Sequence, residues 1–554
     1  MRQVVTSLCS LILLAAVVPV TAQQSGDFTY TSDGTSITIT GYTGNGGFVT
    51  IPDTINGLPV TGIGERAFQF CPYITQLTLP DTITTIGTRA FELANLLSMT
   101  IPDTVTSIGF EAFSYCRVLG AVTIANGVTN IGGWAFDTCT SLTNLTIGNS
   151  VTDVGEWAFS GCTSLPAVTV PDSATKIGGR AFYACSSVTN VTIGNGVTSI
   201  GASAFSQCTS LRNLMIGDSV TNMGTGVFYG CSSLVSVAIP RSVASLGQQT
   251  FYGCTNLAAI EVDVENPAYR SVEGVLFDKS RTVLITYPGG KAGPYTVPDG
   301  VARIALGAFY GCRSLTGVII PYTVSDIEAA AFYDCTGLAC VTLPNRVTYI
   351  GWGAFAGCTS LTSVTIPDSV TYIGGDAFGH CTNLLSMTIP DGVTNIASWT
   401  FEFCGNLTNV TIGHGLSIID EGAFAGCNKL AGLFFEGNAP IYRSLEGLSG
   451  YTNVTVYYLP GTTGWGSTFS GRPTAPWVLP YPVMLTTPPS FGVGTNGYGF
   501  IISWATNASV VVEACTDLVL PDWSPVGTNT LVDGWSYFSD PEWTNNRFYR
   551  LRSR

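Results

Sequence analysis

Charge is what this chain has least of. Only 10% of its 554 residues are Asp, Glu, Lys or Arg. The 22 Lys and Arg are outnumbered by 36 acidic residues, giving a net charge of −14. The basic residues are scattered singly, so nothing could neutralise a row of phosphates, which excludes a nucleic-acid partner. The same deficit makes an anionic membrane surface a poor partner. Histidine is almost missing: His380 and His414 are the two present, and both read as solvated turn residues, His414 standing where other repeats have Asn or Asp. No His-Glu-x-x-His, Gly-x-Ser-x-Gly, P-loop or paired Cys-x-x-Cys motif occurs. Without an acid, base or nucleophile set, the expectation is a non-enzymatic protein with no cofactor and no resident metal.

Long apolar runs are scarce too. Past the N-terminus no stretch reaches the roughly eighteen apolar residues of a spanning helix. Residues 1–22 read as a secretory signal: Arg2, an apolar run over 8–18, and Val20-Thr21-Ala22 as a small-residue cleavage site. Cys9 lies inside that run without the small-residue context of a lipid anchor. An exported protein with no membrane span is expected.

What the chain does contain is turn formers, 64 Gly and 28 Pro with 45% apolar residues, a globular rather than a disordered composition. They are arranged in a repeat. An Ala-Phe or similar pair recurs with its Phe at 68, 91, 113, 136, 159, 182, 205, 228, 251, 309, 332, 355, 378, 401 and 424. The step is 23 residues except for one of 22 and one of 58, the latter being 23 plus a 35-residue insertion. A fixed period of this length implies a solenoid in which each turn buries its apolar face only against its neighbours. Within one unit, Leu142, Leu145 and Ile147 suit a short strand with one face inward. Gly148 breaks it, Val151 and Val154 point in again, and Gly155 is expected to permit a tight turn. The remainder, with Ala158, Phe159 and Cys162, is long enough for one helical turn but not for an independent helix.

Seventeen Cys in an exported chain ordinarily suggest disulfides. Here fourteen occupy the single slot three after the Phe, from Cys71 to Cys427, with Ala94 the one substitute. Inward side chains one coil apart have parallel Cβ vectors about 4.8 Å apart, whereas disulfides want converging vectors about 3.8 Å apart. Buried thiols acting as small hydrophobes are therefore expected, with partial oxidation the alternative. Cys340 and Cys515 fall outside the row.

The unit Ile366-Pro-Asp-Ser-Val-Thr-Tyr-Ile-Gly-Gly-Asp-Ala-Phe-Gly-His-Cys381 resembles the BspA-like, Treponema-type leucine-rich repeat of bacterial surface proteins. The likeness covers roughly 48–436. It implies a leucine-rich repeat solenoid of about fifteen 23-residue units, with short parallel strands and short helical turns. It also implies a protein exported by a bacterium, of Gram-negative type, that binds proteins, matrix or cell surfaces.

The expected organisation is a signal peptide (1–22), an N-terminal β-hairpin cap (23–60) and the solenoid (61–436) with a β insertion at about 261–299. A C-terminal cap (437–478) with Trp465 and Trp477 over the last coil follows, then a Pro-rich linker (479–490). A small all-β module (491–554) of seven strands or fewer ends the chain. Its close, Arg547-Phe548-Tyr549-Arg550-Leu551, resembles C-terminal modules of secreted Verrucomicrobia-type proteins.

Two readings of function follow. In the first, the exposed strand face binds a protein or surface partner. One slot on that face, seven after the row Cys, is Thr in ten of fifteen units, a β-propensity solution for an exposed strand. Met215, Ala238, Glu261 and Ile319 break the Thr row in consecutive marked units, and the insertion falls among them. These four are the candidate partner-binding residues. In the second reading, aromatic residues of the C-terminal module stack on glycans. Glu261, Asp263 and Glu265 would suit a hard cation by residue type, but their spacing matches no known loop and a solvated charged turn is expected.

Overall fold

The computed structural model describes residues 22–443 and, with gaps, 448–553. The gaps are 449–450, 452, 478–482, 486–491, 495–496, 504–507, 517–521, 533–534 and 545–546. The signal segment before Ala22, most of the Pro-rich stretch 479–490 and Trp504 therefore lie outside the described residues. The chain forms a β-solenoid of about 18 turns followed by a small antiparallel β module. It divides into two compact units, Met1–Phe205 and Ser206–Arg554.

One coil of the first unit shows why the repeat folds as it does. Strand Ala121–Ile124 buries Val122 and Ile124 and exposes Thr123. A turn closed by buried Val128 leads to the two-residue strand Asn130–Ile131, which buries Ile131. A corner then buries Ala135, Phe136 and Cys139. Both strands pair in parallel with the next coil, Val122 opposite Leu145 and Ile131 opposite Val154.

The corner takes the form of tandem reverse turns rather than a helix. The N–H of Ala135 donates to the carbonyl of Gly132 (3.3 Å), and that of Asp137 to Trp134 (3.1 Å). Trp134 and Thr138 are left-handed, at φ of 58° and 57°, which stops helical propagation and costs about 1–2 kcal/mol per residue. The corner offsets that cost with its own ladder. The N–H groups of Trp134, Phe136 and Thr138 donate to the carbonyls of Glu156, Ala158 and Ser160 at 2.7–2.9 Å. Gly155 is needed for a different reason from the one its place in a turn suggests. Its φ is not positive; a Cβ there would lie 2.6 Å from the Gly132 carbonyl carbon. Successive coils approach too closely for any side chain.

Each coil repeats at strand spacing, so like residues stack on like. Neighbouring Phe rings from Phe68 to Phe205 lie 4.9–5.2 Å apart, nearly parallel. The cysteines also form a row, none of the described ones in a disulfide and all but Cys71 in the row buried. Each buried thiol does more than fill space. Cys139 Sγ donates to the carbonyl of Phe113 (3.2 Å) and Cys162 to that of Phe136 (3.3 Å), one coil back. Burial pushes the Cys116 thiol up to about 12. The N-terminal strands Gln23–Ser25, Phe28–Ser32 and Ile37–Tyr42 pair antiparallel. The last of them joins Leu58–Ile63 in parallel, which passes an antiparallel cap into the solenoid.

The second unit repeats this design, with Phe309 through Phe424 stacked at 4.6–5.8 Å. Its insertion begins where Asn266 takes the Val slot. Asn266 is fully buried, and its amide donates to the carbonyls of Pro240 and Val243 (both 2.9 Å). Its side-chain oxygen accepts from the N–H groups of Ala268 and Tyr269. Strands Tyr269–Val272, Val275–Asp278 and Val283–Thr286 then form an antiparallel excursion. The last of these pairs in parallel with Arg303–Ile304, and Gly293–Thr296 pairs with Leu315–Ile319. The insertion thus supplies one further coil, in which Tyr287 stands in the Phe row, 5.0 Å from Phe309.

At the C-terminal end Trp465 stacks on Tyr458 (5.3 Å) and meets Phe435 (5.0 Å). Pro473 and Pro476 lie inside the strand Arg472–Pro476, which pairs with Thr455–Tyr458. The module that follows has seven described strands and a core of Phe500, Ile502, Val510, Val512, Leu531 and Phe538. Ile501 is buried together with Leu459, with Trp477 packed against them.

Two measurements check this packing. The unreduced protein is expected to hide its row thiols from a thiol reagent while folded and to expose all sixteen described cysteines once denatured; sulfurs that react only after reduction would contradict the thiol row. Phe228→Ala empties a fully buried ring that stacks on Phe251 at 6.0 Å. A loss of about 3–5 kcal/mol is expected, and unfolding should broaden or split because coupling is between neighbours. An unchanged denaturation curve would count against the shared core.

Candidate functional site

The Thr slot is the middle exposed position of the long strands, where alternation turns every second side chain outward. Thr100, Thr123 and Thr146 in the first unit and Thr342, Thr365 and Thr388 in the second are exposed. Pairing sets the row in register: Thr100 faces Thr123, Thr123 faces Thr146 and Thr388 faces Thr411.

The four residues that break the row are all in the second unit. Met215 is 67% exposed and Ile319 60%. Ala238 and Glu261 are exposed and lie directly opposite each other in the strand pair Ser236–Ile239 and Ala259–Val262. The structure adds a residue that the repeat count passes over. Thr296, in the inserted coil, pairs with Ile319, so one Thr stands between Glu261 and Ile319. Val235, Val264 and Tyr322 are further exposed apolar residues of this stretch.

The acidic residues at the start of the insertion do not converge. Glu265 pairs with Arg241 (3.2 Å), Asp263 accepts the N–H of Glu265, and Glu261 accepts from Ser271. Among the described residues the group with metal-ligand spacing is Asp391, His414 and Glu436, whose ligand atoms lie within 4.8 Å of one another. Sequence reading missed the grouping because the three residues belong to successive coils. Asp391 and His414 occupy a slot with a backbone role elsewhere. Asp103 accepts the N–H of Asn126 (2.8 Å) and Asp172 that of Asn195 (2.6 Å); Asp391 likewise accepts the N–H of His414 (2.7 Å) and lies 3.1 Å from its Nδ1. Partial burial raises the Asp391 carboxyl, but these two hydrogen bonds and the imidazole outweigh it and leave it below the usual range. Burial and Asp391 push Glu436 up, against the pull of His414. His380 instead stacks on Phe403 at 5.0 Å.

A groove of about 720 Å³ opens in the first unit beside Gln76–Thr78 and Ser98–Ile101. These two strands share one register pair, Gln76 with Ser98, where Ser98–Ile101 and the next long strand, Ala121–Ile124, share four. The 22-residue step and Ala94 were the sequence signals of this departure. In the C-terminal module, Trp523 is covered by Arg550 (4.5 Å) and Trp543 by Tyr498 (5.7 Å), whereas Trp535 and Tyr537 are 41% and 49% exposed.

Coils of parallel strands with tandem-turn corners, stacked Phe rows and an outward polar strand face define a leucine-rich repeat solenoid. The chain belongs to the BspA type leucine rich repeat family, whose model matches residues 48–166, 134–258, 175–281 and 302–431. It is similar to a leucine rich cell surface protein from Faecalibacterium prausnitzii, at 30% identity over 76% of this chain and 95% of that one, with a TM-score of 0.51. A leucine-rich repeat protein from Bacteroides ovatus shares 24% identity over 76% of this chain and 99% of that one, TM-score 0.48. The pneumococcal vaccine antigen PcpA shares 20% over 75% and 94%, TM-score 0.43. No curated protein matches the sequence. The family match ends at residue 431, so the C-terminal module lies outside it.

One titration follows from the corners. Asp376 is left-handed (φ 56°), and its Oδ1 is buried without a partner. Burial pushes its carboxyl up to about 6, with Glu402 adding and His380 opposing. A folded-state pKa above the unfolded value of about 3.9 means the native state binds more protons in the window between them. The contribution of Asp376 to stability therefore falls as pH rises from about 4 to 6, then levels off. Asp376→Asn should raise the melting temperature more at pH 7.5 than at pH 4.5; a difference independent of pH would show that burial of the charge is not felt.

Proposed function

We propose that this is a non-enzymatic, exported protein that binds a protein or cell-surface partner through the exposed strand face of its second unit. The observation that carries the reading is the break in the Thr row. A face under selection for folding alone keeps its β-propensity consensus. Here Met215, Ala238, Glu261 and Ile319 abandon it, and two of them expose large apolar side chains. Val235, Val264 and Tyr322 extend the exposed apolar surface, and such surface on a soluble protein marks interaction sites. Export rests on residues 1–22, and a surface location on membership in a family whose solved members include a cell surface protein. A second reading, glycan binding by the C-terminal module, draws on exposed Trp535 and Tyr537.

The test restores Thr at 215, 238, 261 and 319 together. Partner capture from the protein's own environment should weaken at least tenfold, while stability moves little, since exposed substitutions rarely exceed about 0.5 kcal/mol each. Thr342, Thr365 and Thr388 changed together to Ser are the control and should leave capture intact. If the control abolishes capture and the restorations do not, the contact surface lies on the later coils.

A further inference from the structure

The inserted coil is two residues short at its corner. From the row Ile to the row aromatic is five positions in the next coil, Ile304 to Phe309, but three in the inserted one, Leu284 to Tyr287. Both rows nevertheless stay in register, Leu284 opposite Ile304 and Tyr287 on Phe309. The deficit therefore falls on the corner loop, which keeps a single ladder bond to the next coil, Tyr287 N–H to the Ala308 carbonyl (2.7 Å), and leaves a notch facing the preceding coil.

The corner ladder records the gap. In the preceding coil Gly226, Phe228 and Gly230 donate to the carbonyls of Gln248, Thr250 and Tyr252 at 2.7–3.1 Å. The corresponding N–H groups of Gln249 and Phe251 find no backbone acceptor in the inserted coil. On the far side the Leu306 carbonyl receives no ladder donor, although its counterpart in a later coil, Trp352, accepts from Ala330 (2.7 Å). Tyr252 reaches across instead. Its ring stacks on Tyr310 at 4.6 Å, and its hydroxyl ends against Gly307, where a Cβ would lie within 1.7 Å. Tyr252 is 5% exposed, and its hydroxyl is buried with no hydrogen-bond partner.

The notch encloses about 340 Å³, within the roughly 300–1,000 Å³ of small-molecule sites. Its charged groups are already satisfied. Arg303 pairs with Glu328 (3.0 Å), and Asp278 accepts from Ser280, Thr282 and the N–H of Val283. What remains available is neutral. Gln248 and Gln249 present exposed amides. Tyr269 accepts the N–H of Leu246 (2.9 Å) and keeps its own proton to donate. The apolar part of the wall comes from Leu276, Val283 and Ile285. Two lining carboxylates against one guanidinium disfavour an anion. Groups that both donate and accept, beside an apolar wall, suit a ring carrying hydroxyls on its edge and C–H bonds on its face.

We propose that this notch is a binding site for a single neutral hexopyranose unit, with the Tyr269 hydroxyl and the amides of Gln248 and Gln249 as its hydrogen-bonding groups. The site stands apart from the strand-face contact surface, because it is built from corners and short strands rather than from the long strands that carry the Thr row.

The test is calorimetric titration of the intact chain with glucose, galactose, mannose and N-acetylglucosamine, and with glucuronate as the anionic counterpart. Saturable binding of at least one neutral sugar at one site per chain is expected, at least tenfold tighter than glucuronate. Ala305→Trp fills the cavity and should abolish the heat. Tyr269→Phe should weaken binding at least fivefold, whereas Tyr252→Phe, which deletes a hydroxyl buried out of the ligand's reach, should leave it unchanged. Should Ala305→Trp fail to fold by near-UV circular dichroism, Tyr269→Phe alone decides. Methyl glycosides separate the two sources of the ligand: retained binding points to a glycan chain end, lost binding to the free sugar, and either supports the site. No heat with any neutral sugar overturns the proposal. So does binding that survives both Ala305→Trp and Tyr269→Phe, or glucuronate that binds as tightly as the neutral sugars.

Discussion

The coil-to-coil hydrogen-bond ladder, repeated at strand spacing along both strands and the corner, is the constraint from which the rest of this structure follows. It brings every residue to within about 5 Å of its counterpart one coil away. A buried slot can then be filled only by a side chain that packs on a copy of itself. Phe meets that condition by offset stacking of parallel rings. Cys meets it by being small and by donating to the Phe carbonyl one coil back, a group that already accepts one backbone N–H. Asp and Asn meet it at the exposed turn by accepting the N–H of the next residue in the row. The left-handed corner residues, costly singly, recur because each corner donates three N–H groups to the next.

The insertion shows how strictly the constraint holds and where it yields. Asn266 replaces a core Val yet leaves no unmet hydrogen bond, because its amide takes over carbonyls of the adjacent turn. Tyr287 replaces Phe in its row, and Leu284 keeps the Ile row. Strand ladders and the aromatic row run from the inserted coil into the next one, while both strand ladders and most of the corner ladder break against the preceding coil. Corners sit at the periphery, so losing one leaves the core closed and opens a notch instead. A similar economy operates in the first unit, where a coil one residue short keeps its Phe row but splays two long strands.

Most of the architecture was legible because a repeat states its constraint many times over. The Phe spacing implied the solenoid, the single Cys slot implied thiols rather than disulfides, and the alternation of the long strands placed Thr outward. The corner conformation was not legible: a segment of that length and composition reads as a helical turn, and left-handed Trp134 and Thr138 have no propensity signal. Gly155 was readable as indispensable, but the reason, a neighbouring backbone rather than its own φ, is a property of the stack. The 35-residue insertion was readable as strands and turns. That it completes a coil was hidden, since Tyr287 and Leu284 lack the flanking Gly and Ala-Phe marks.

For the candidate sites the balance shifts the other way. The broken Thr row is visible in the sequence, because a missing consensus residue is a local fact. The Asp391–His414–Glu436 grouping, the splayed strands and the notch beside Tyr252 are not, because each joins residues from different coils whose proximity depends on register. By itself the sequence determined the period, the inward and outward faces and the identity of every row, all of which depend on side-chain type at fixed spacing. Only the tertiary structure decided which neutral and charged groups meet across coils and where a shortened coil leaves space. Those outcomes depend on how the backbone of one turn closes against the next.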